Sequence, residues 1–201
     1  MANLTYYKAV DSVNDGSKGT QVTSGEIDAI LPFLTSQDRI AGVTQLEKFY
    51  IQSDVTIDVF VGFTSLGLFN AVMIDSTGTS EVAGDVSSTS PRYGASEIIS
   101  NTATECVVKQ NDVVDLFRPD DYILVGDVVV QIDTVTANTA DRTITYKFEI
   151  PYVDLVGNYA SSVLQKSLTA NTAVPLWIEN TVAAGSPATS TYNTVPLVVV
   201  S

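Results

Sequence analysis

The sequence predicts an all-β chain: an antiparallel β-sandwich entered through an irregular N-terminal arm. Two observations carry this. Apolar and polar residues alternate with period two over 47–63, 122–135 and 143–150, the mark of half-buried antiparallel strands. Clusters of Gly, Pro, Asn, Asp and Ser punctuate those runs as turns. At 201 residues the chain can bury a sizeable core, either as one large β domain or as two small β lobes.

Residues 1–41 form the arm or lead-in. After the short apolar piece Leu4–Val10 comes the turn-rich run Asp11–Gly19. Its Asp11, Asn14, Asp15 and Gly16 lack the ligand spacing of a calcium loop, and Asn14-Asp15-Gly16 reads as a solvated turn. Ser24–Leu31 starts polar and carries Glu26 and Asp28 early, which predicts a helical turn or two closed by Pro32.

The predicted β-sandwich domain spans 42–201. In Gly42–Asp75, Phe49 and Ile51 alternate with Lys48, Tyr50 and Gln52; Ile57, Val59, Val61 and Phe63 then alternate with Thr56, Asp58 and Gly62. Phe60 falls on the polar side, so a second covered surface is expected. The following loop, Gly62–Asn70, is too rich in Gly for a core strand and too apolar for a solvated loop. Leu66, Leu68 and Phe69 within it are the candidate interface residues. Ser76–Gly94 is a Ser/Thr/Gly-rich loop, expected to be long and exposed, and the place for a boundary between lobes or between sandwich halves.

Further strands are predicted at Glu105–Lys109, Tyr122–Val125 and Val128–Val135. The clearest alternation is Thr143–Ile150, with Ile144, Tyr146, Phe148 and Ile150 on the apolar side. Pro151–Thr172 has no clear period and is left unassigned. Ala173–Val182 and Thr194–Ser201 complete the set, joined by a long polar loop. Pro175 requires its strand to lie at an edge or to begin nearby. Trp177 is placed in the core, where a large ring defines a packing centre.

Composition removes most chemistry. There is no histidine and one cysteine, which excludes internal disulfides, Cys/His zinc sites and a Ser-His-Asp triad. Cys106, in an apolar strand beside Glu105, reads as a small buried hydrophobe. Asp120 and Asp121 are adjacent, and neighbours in an extended chain point to opposite sides, so a turn is expected there rather than a metal site. No phosphate loop is present. The expectation is therefore a protein that is not an enzyme and has no cofactor. Ten basic against 23 acidic residues, net −13, with no basic run, argue against a nucleic-acid partner. MANLTYYKAV has neither the basic nor the long apolar region of a secretory signal, and no run reaches membrane-span length, so no membrane partner is expected and assembly would take place in the cytoplasm.

Two segments carry a resemblance. Gly42-Val-Thr-Gln-Leu-Glu-Lys-Phe-Tyr-Ile-Gln-Ser53 resembles a segment of tailed-bacteriophage virion proteins in which a polar approach enters a strand with a basic residue ahead of alternating apolar positions. Ala173-Val-Pro-Leu-Trp-Ile-Glu-Asn-Thr-Val-Ala-Ala-Gly185 is similar to the C-terminal strand and Val-x-Ala-Gly turn of such proteins from Mu-like or related contractile phages. Together they cover a small part of the chain. Glu47 and Glu179 stand where that pattern carries basic residues. The resemblance implies a structural virion component with other virion proteins and copies of itself as partners, most naturally a neck/collar or tail-region subunit. A capsid decoration protein and a sugar-binding sandwich at the tail tip are the alternatives; in the last, Tyr93, Tyr159, Tyr192 or Trp177 would stack on the ligand.

Overall fold

A computed structural model describes residues 2–10, 17–22, 30, 34–63, 70–109, 117–138, 140–186 and, as backbone, 197–200. The chain is all-β, with two antiparallel sheets packed together. In order, the strands are β1 (Leu4–Ala9), β2 (Lys18–Gln21), β3 (Val43–Ser53), β4 (Ile57–Phe63), β5 (Asn70–Asp75), β6 (Arg92–Tyr93) and β7 (Ala95–Asn101). They continue as β8 (Glu105–Lys109), β9 (Tyr122–Val125), β10 (Val128–Ala137), β11 (Asp141–Tyr146), β12 (Tyr159–Leu168), β13 (Val174–Val182) and β14 (Leu197–Val200). A short helix, α1 (Ser36–Ala41), begins with a capping box: the Thr35 hydroxyl accepts from the Asp38 amide at 3.1 Å, and the Asp38 carboxylate accepts from the Thr35 amide at 2.8 Å. The helical turn expected at 24–31 falls, apart from Ile30, outside the described residues.

The first sheet runs β2-β1-β3-β13-β5-β6. Within the lead-in, expected to be irregular, Leu4–Ala9 is thus a regular strand: Leu4 pairs with Ser53 and Lys8 with Phe49 along β3. Its side chains are all half-buried, so no alternation marks it in the sequence. The second sheet runs β14-β4-β12-β7-β8-β11-β10-β9, and β9 also pairs with β12. That last pairing closes strands β7 to β12 into a barrel. The chain enters it after Gly94 and leaves it halfway along β12.

Two apolar clusters follow from this topology. Phe49, Met73 and Leu176 of the first sheet meet Val61, Phe63 and Leu164 of the second inside the sandwich. Ile98, Val108, Ile123, Ile132 and Ile144 fill the barrel, and Val72 of β5 packs against that cluster from outside.

Strand β12 is the hub, and it lies in the stretch left unassigned from the sequence. Ala160 to Leu164 are all buried, and along the edges Ala160–Val163 pair with β9 while Tyr159–Ser161 pair with β7. A strand covered on both sides shows no period of two. From Leu164 to Leu168 the same strand pairs with β4 in the sandwich. Small residues make the crossing. The Ser161 hydroxyl accepts from the Phe63 amide at 3.0 Å, and the Ser162 hydroxyl accepts from the Gly94 amide at 2.9 Å. A Cβ on Gly62 would stand 2.6 Å from Val163 Cγ1, so only glycine lets β4 approach so closely.

Candidate interaction surfaces

The residues singled out in the sequence fare differently. Leu66, Leu68 and Phe69 lie outside the described residues. Their flanks, β4 and β5, belong to different sheets, so the loop links the two layers of the sandwich. The Asp11–Gly16 turn also lies outside the described residues.

Cys106 is fully buried in the barrel, and burial pushes its thiol up to about 11; a thiolate nucleophile is disfavoured there. Burial also raises Tyr146, whose hydroxyl faces that thiol. Asp120 takes a left-handed conformation (φ 71°), and its carboxylate accepts from Lys147 Nζ at 2.5 Å. Asp121 is raised chiefly by burial. The two residues thus occupy a turn, in which the Asp120 carboxylate is tied to Lys147. Among the described residues no group of three or more His, Cys, Asp or Glu gathers. No described helix is long and apolar enough to cross a membrane.

Trp177 is 2% exposed, which takes it out of any role stacking on a sugar. It sits on the side of β13 away from the sandwich core, beneath the Ser/Thr/Gly-rich loop that follows β5. Its indole Nε1 donates to Glu81 Oε2 at 2.8 Å, and Lys48 Nζ stands 5.2 Å from its ring centroid. Lys48 Nζ donates to the carbonyls of Gly78, Thr79 and Glu81 at 3.0, 3.0 and 2.6 Å. Burial alone would raise Glu81, but hydrogen bonds from Ser76, Trp177 and Thr77 outweigh it and hold the carboxyl below its usual range. Further along, Arg92 grips Glu179 through Nε and Nη2 at 2.9 and 3.0 Å, while its Nη1 donates to the Ser88 and Ser90 carbonyls. Glu179, one of the two departures from the phage pattern, therefore holds this loop down. The other, Glu47, is half-buried on the side of β3 that carries Phe49, and burial raises it to about 7.

A different surface was misread in the sequence. β11 ends at Tyr146, so the alternation through Phe148 and Ile150 runs past the strand. Ile150 is buried, yet Phe148 is 68% exposed. Tyr152, Val153 and Val156 follow it into solvent at 61, 59 and 58%. Backbone bonds fix this ribbon along the β7–β8 hairpin: Ile150 N donates to Ala103 O at 2.9 Å, and Gly157 N to Ile98 O at 3.0 Å. Asn101 clamps it from both sides, its Nδ2 donating to Val153 O at 2.7 Å and its Oδ1 accepting from Leu155 N at 3.0 Å. Ile150 and Leu155 anchor the ribbon to the barrel core. Ile99, on the strand it follows, is 41% exposed. A large apolar side chain left wholly in water forgoes roughly 1.5–3 kcal/mol of burial, and these residues, partly exposed, forgo a fraction of that each. A run of apolar residues after a Pro with no period was the only signal available, and it does not separate exposed from buried.

Compared with known proteins, this chain finds no match among family models, characterised proteins or solved structures.

Proposed function

We propose that the protein is a structural subunit of a tailed-phage virion, in the neck/collar or tail region, that works through protein–protein contacts. One observation supports this reading above the others. The two segments that resemble phage virion proteins lie far apart in the chain, yet they are adjacent strands: β13 pairs with β3 from Val174↔Ile51 to Val182↔Val43. The resemblance thus falls on one continuous piece of sheet rather than on two unrelated stretches. The low charged fraction, 16% against roughly 25% in an average domain, suits surfaces that are covered on assembly. Loop Gly62–Asn70, with Leu66, Leu68 and Phe69, and the parts of the lead-in 1–41 outside β1 and β2 supply contacts in this proposal.

Immunogold labelling of purified particles tests it. Label at the neck or tail is the expected result. Label spread over the head would move the assignment to capsid decoration, and particles that lack the chain would overturn it. In the same particles, Leu66→Asp with Phe69→Asp is expected to abolish incorporation while the isolated chain melts nearly as before.

A further inference from the structure

We propose that the ribbon 148–156 is a self-association surface, where a second copy of this chain docks against the barrel. Five of the eight exposed large hydrophobic residues found among the described residues, Ile99, Phe148, Tyr152, Val153 and Val156, belong to this ribbon or to the strand beside it. Together they expose roughly 500 Å² of residue surface, within the range of the largest apolar patch on an ordinary monomer. A standard interface takes about 800 Å² from each partner, and homodimer interfaces are about 65% apolar. The ribbon therefore presents about the apolar area that one partner of such an interface contributes.

A second copy is the occupant that this area and geometry favour. A two-fold contact needs only one self-complementary patch. The backbone bonds from Ala103, Ile98 and Asn101 already hold the ribbon in place, so docking orders few new groups. Charge gives the pairing a signature. Glu149 and Asp154 are the only charged residues in 148–156, so two ribbons bring like charges together, and salt that screens beyond about 10 Å relieves them. Self-association should therefore tighten as salt rises. A foreign partner rimmed with Lys and Arg would leave the isolated chain monomeric.

The inference rests on the assembling-subunit reading for its purpose, but its test is separate. Sedimentation of the full chain across concentration and salt should show a monomer–dimer equilibrium that strengthens several-fold towards about 0.5 M salt. Glu149→Gln should dimerise more tightly at low salt with a flatter salt response. Phe148→Asp with Val153→Asp should stay monomeric with an unchanged melting curve. Should that variant unfold, hydrogen exchange on the unaltered chain replaces it, with amides of 148–156 slowing as concentration rises. A wild-type chain that is monomeric throughout, or a dimer that persists in the folded double variant or leaves 148–156 unprotected, overturns the proposal. A dimer absent from phage particles would overturn the virion reading and leave this one standing; a monomer found in particles would do the reverse.

Discussion

Two connecting segments of this protein exchange the places their compositions suggest. The stretch from Ser76 to Pro91 is rich in Ser, Thr and Gly and reads as an exposed loop, yet it covers Trp177 and Lys48. The stretch from Phe148 to Val156 is apolar and reads partly as a strand, yet it carries Phe148 and Tyr152 into water. Both are pinned by named hydrogen bonds, so neither is merely slack chain. What differs is what the pins serve. In the first, an ammonium and a carboxylate supply carbonyls and amides with partners, so a polar segment can lie over an indole at little cost. In the second, an asparagine satisfies the backbone alone and the apolar side chains are left for another surface.

The largest effect that would sharpen this contrast is expected at Trp177. Trp177→Ala should lower stability by about 3–5 kcal/mol, read by denaturant unfolding; a loss near zero would mean that the loop does not depend on what it covers. Next comes Glu81→Gln, which weakens the bonds from Ser76, Thr77 and Trp177 and should cost about 1–3 kcal/mol. Because the folded state holds Glu81 below its usual value of 4.5, its contribution is present above that pH and is lost as pH falls through the lowered value. The Gln variant should therefore show a shallower loss in acid.

Glu47 should respond in the opposite sense, and more weakly. Its folded value is raised from 4.5 to about 7, so the folded state binds more protons across that window and stability declines as pH rises through it. Glu47→Gln should raise the melting temperature at pH 8 and change it little near pH 4; an equal gain at both would show that burial of the carboxylate is not the cause. The smallest effect belongs to the ribbon. Phe148→Ser should alter the stability of the dilute monomer by less than about 0.5 kcal/mol, and a loss comparable to that at Trp177 would erase the distinction between the two segments.

How much of this was legible depends on which side chains each strand buries. β4 and β10 were visible because buried and more open side chains alternate along them, and β3, β9 and β13, buried on both sides over 48–51, 123–125 and 175–178, were visible from their large apolar residues between turn signals. Pro175 was correctly tied to a strand beginning near it, since β13 starts at Val174 although it lies inside the sheet. Phe60, expected to be covered, rests against Tyr122 with ring centroids 4.9 Å apart. β12 was invisible because the side chains it buries from Ala160 to Ser162 are small or polar and give no apolar signal. Barrel closure was equally hidden, since it depends on Ser161 meeting Leu124 and Ala95 at once, a register that no local pattern encodes. Phe148 misled because periodicity cannot tell where a strand stops hydrogen-bonding. The candidate interface at Leu66, Leu68 and Phe69 falls outside the described residues.

The bond between Gly94 and Ser162 bears on how the chain can find its fold. β5 and β13 are paired neighbours, yet from Asp75 to Val174 the chain travels through the whole barrel. Closing a loop that long is entropically slow to repay, and the sandwich cannot be completed until it is closed. If the barrel assembles first from its own nearer contacts, Gly94 and Ser162 are already joined, and the effective loop shrinks from roughly a hundred residues to roughly thirty. That removes about 1 kcal/mol of closure entropy. The inserted barrel would then act as a splint, bringing the last strands of the sandwich back to the first.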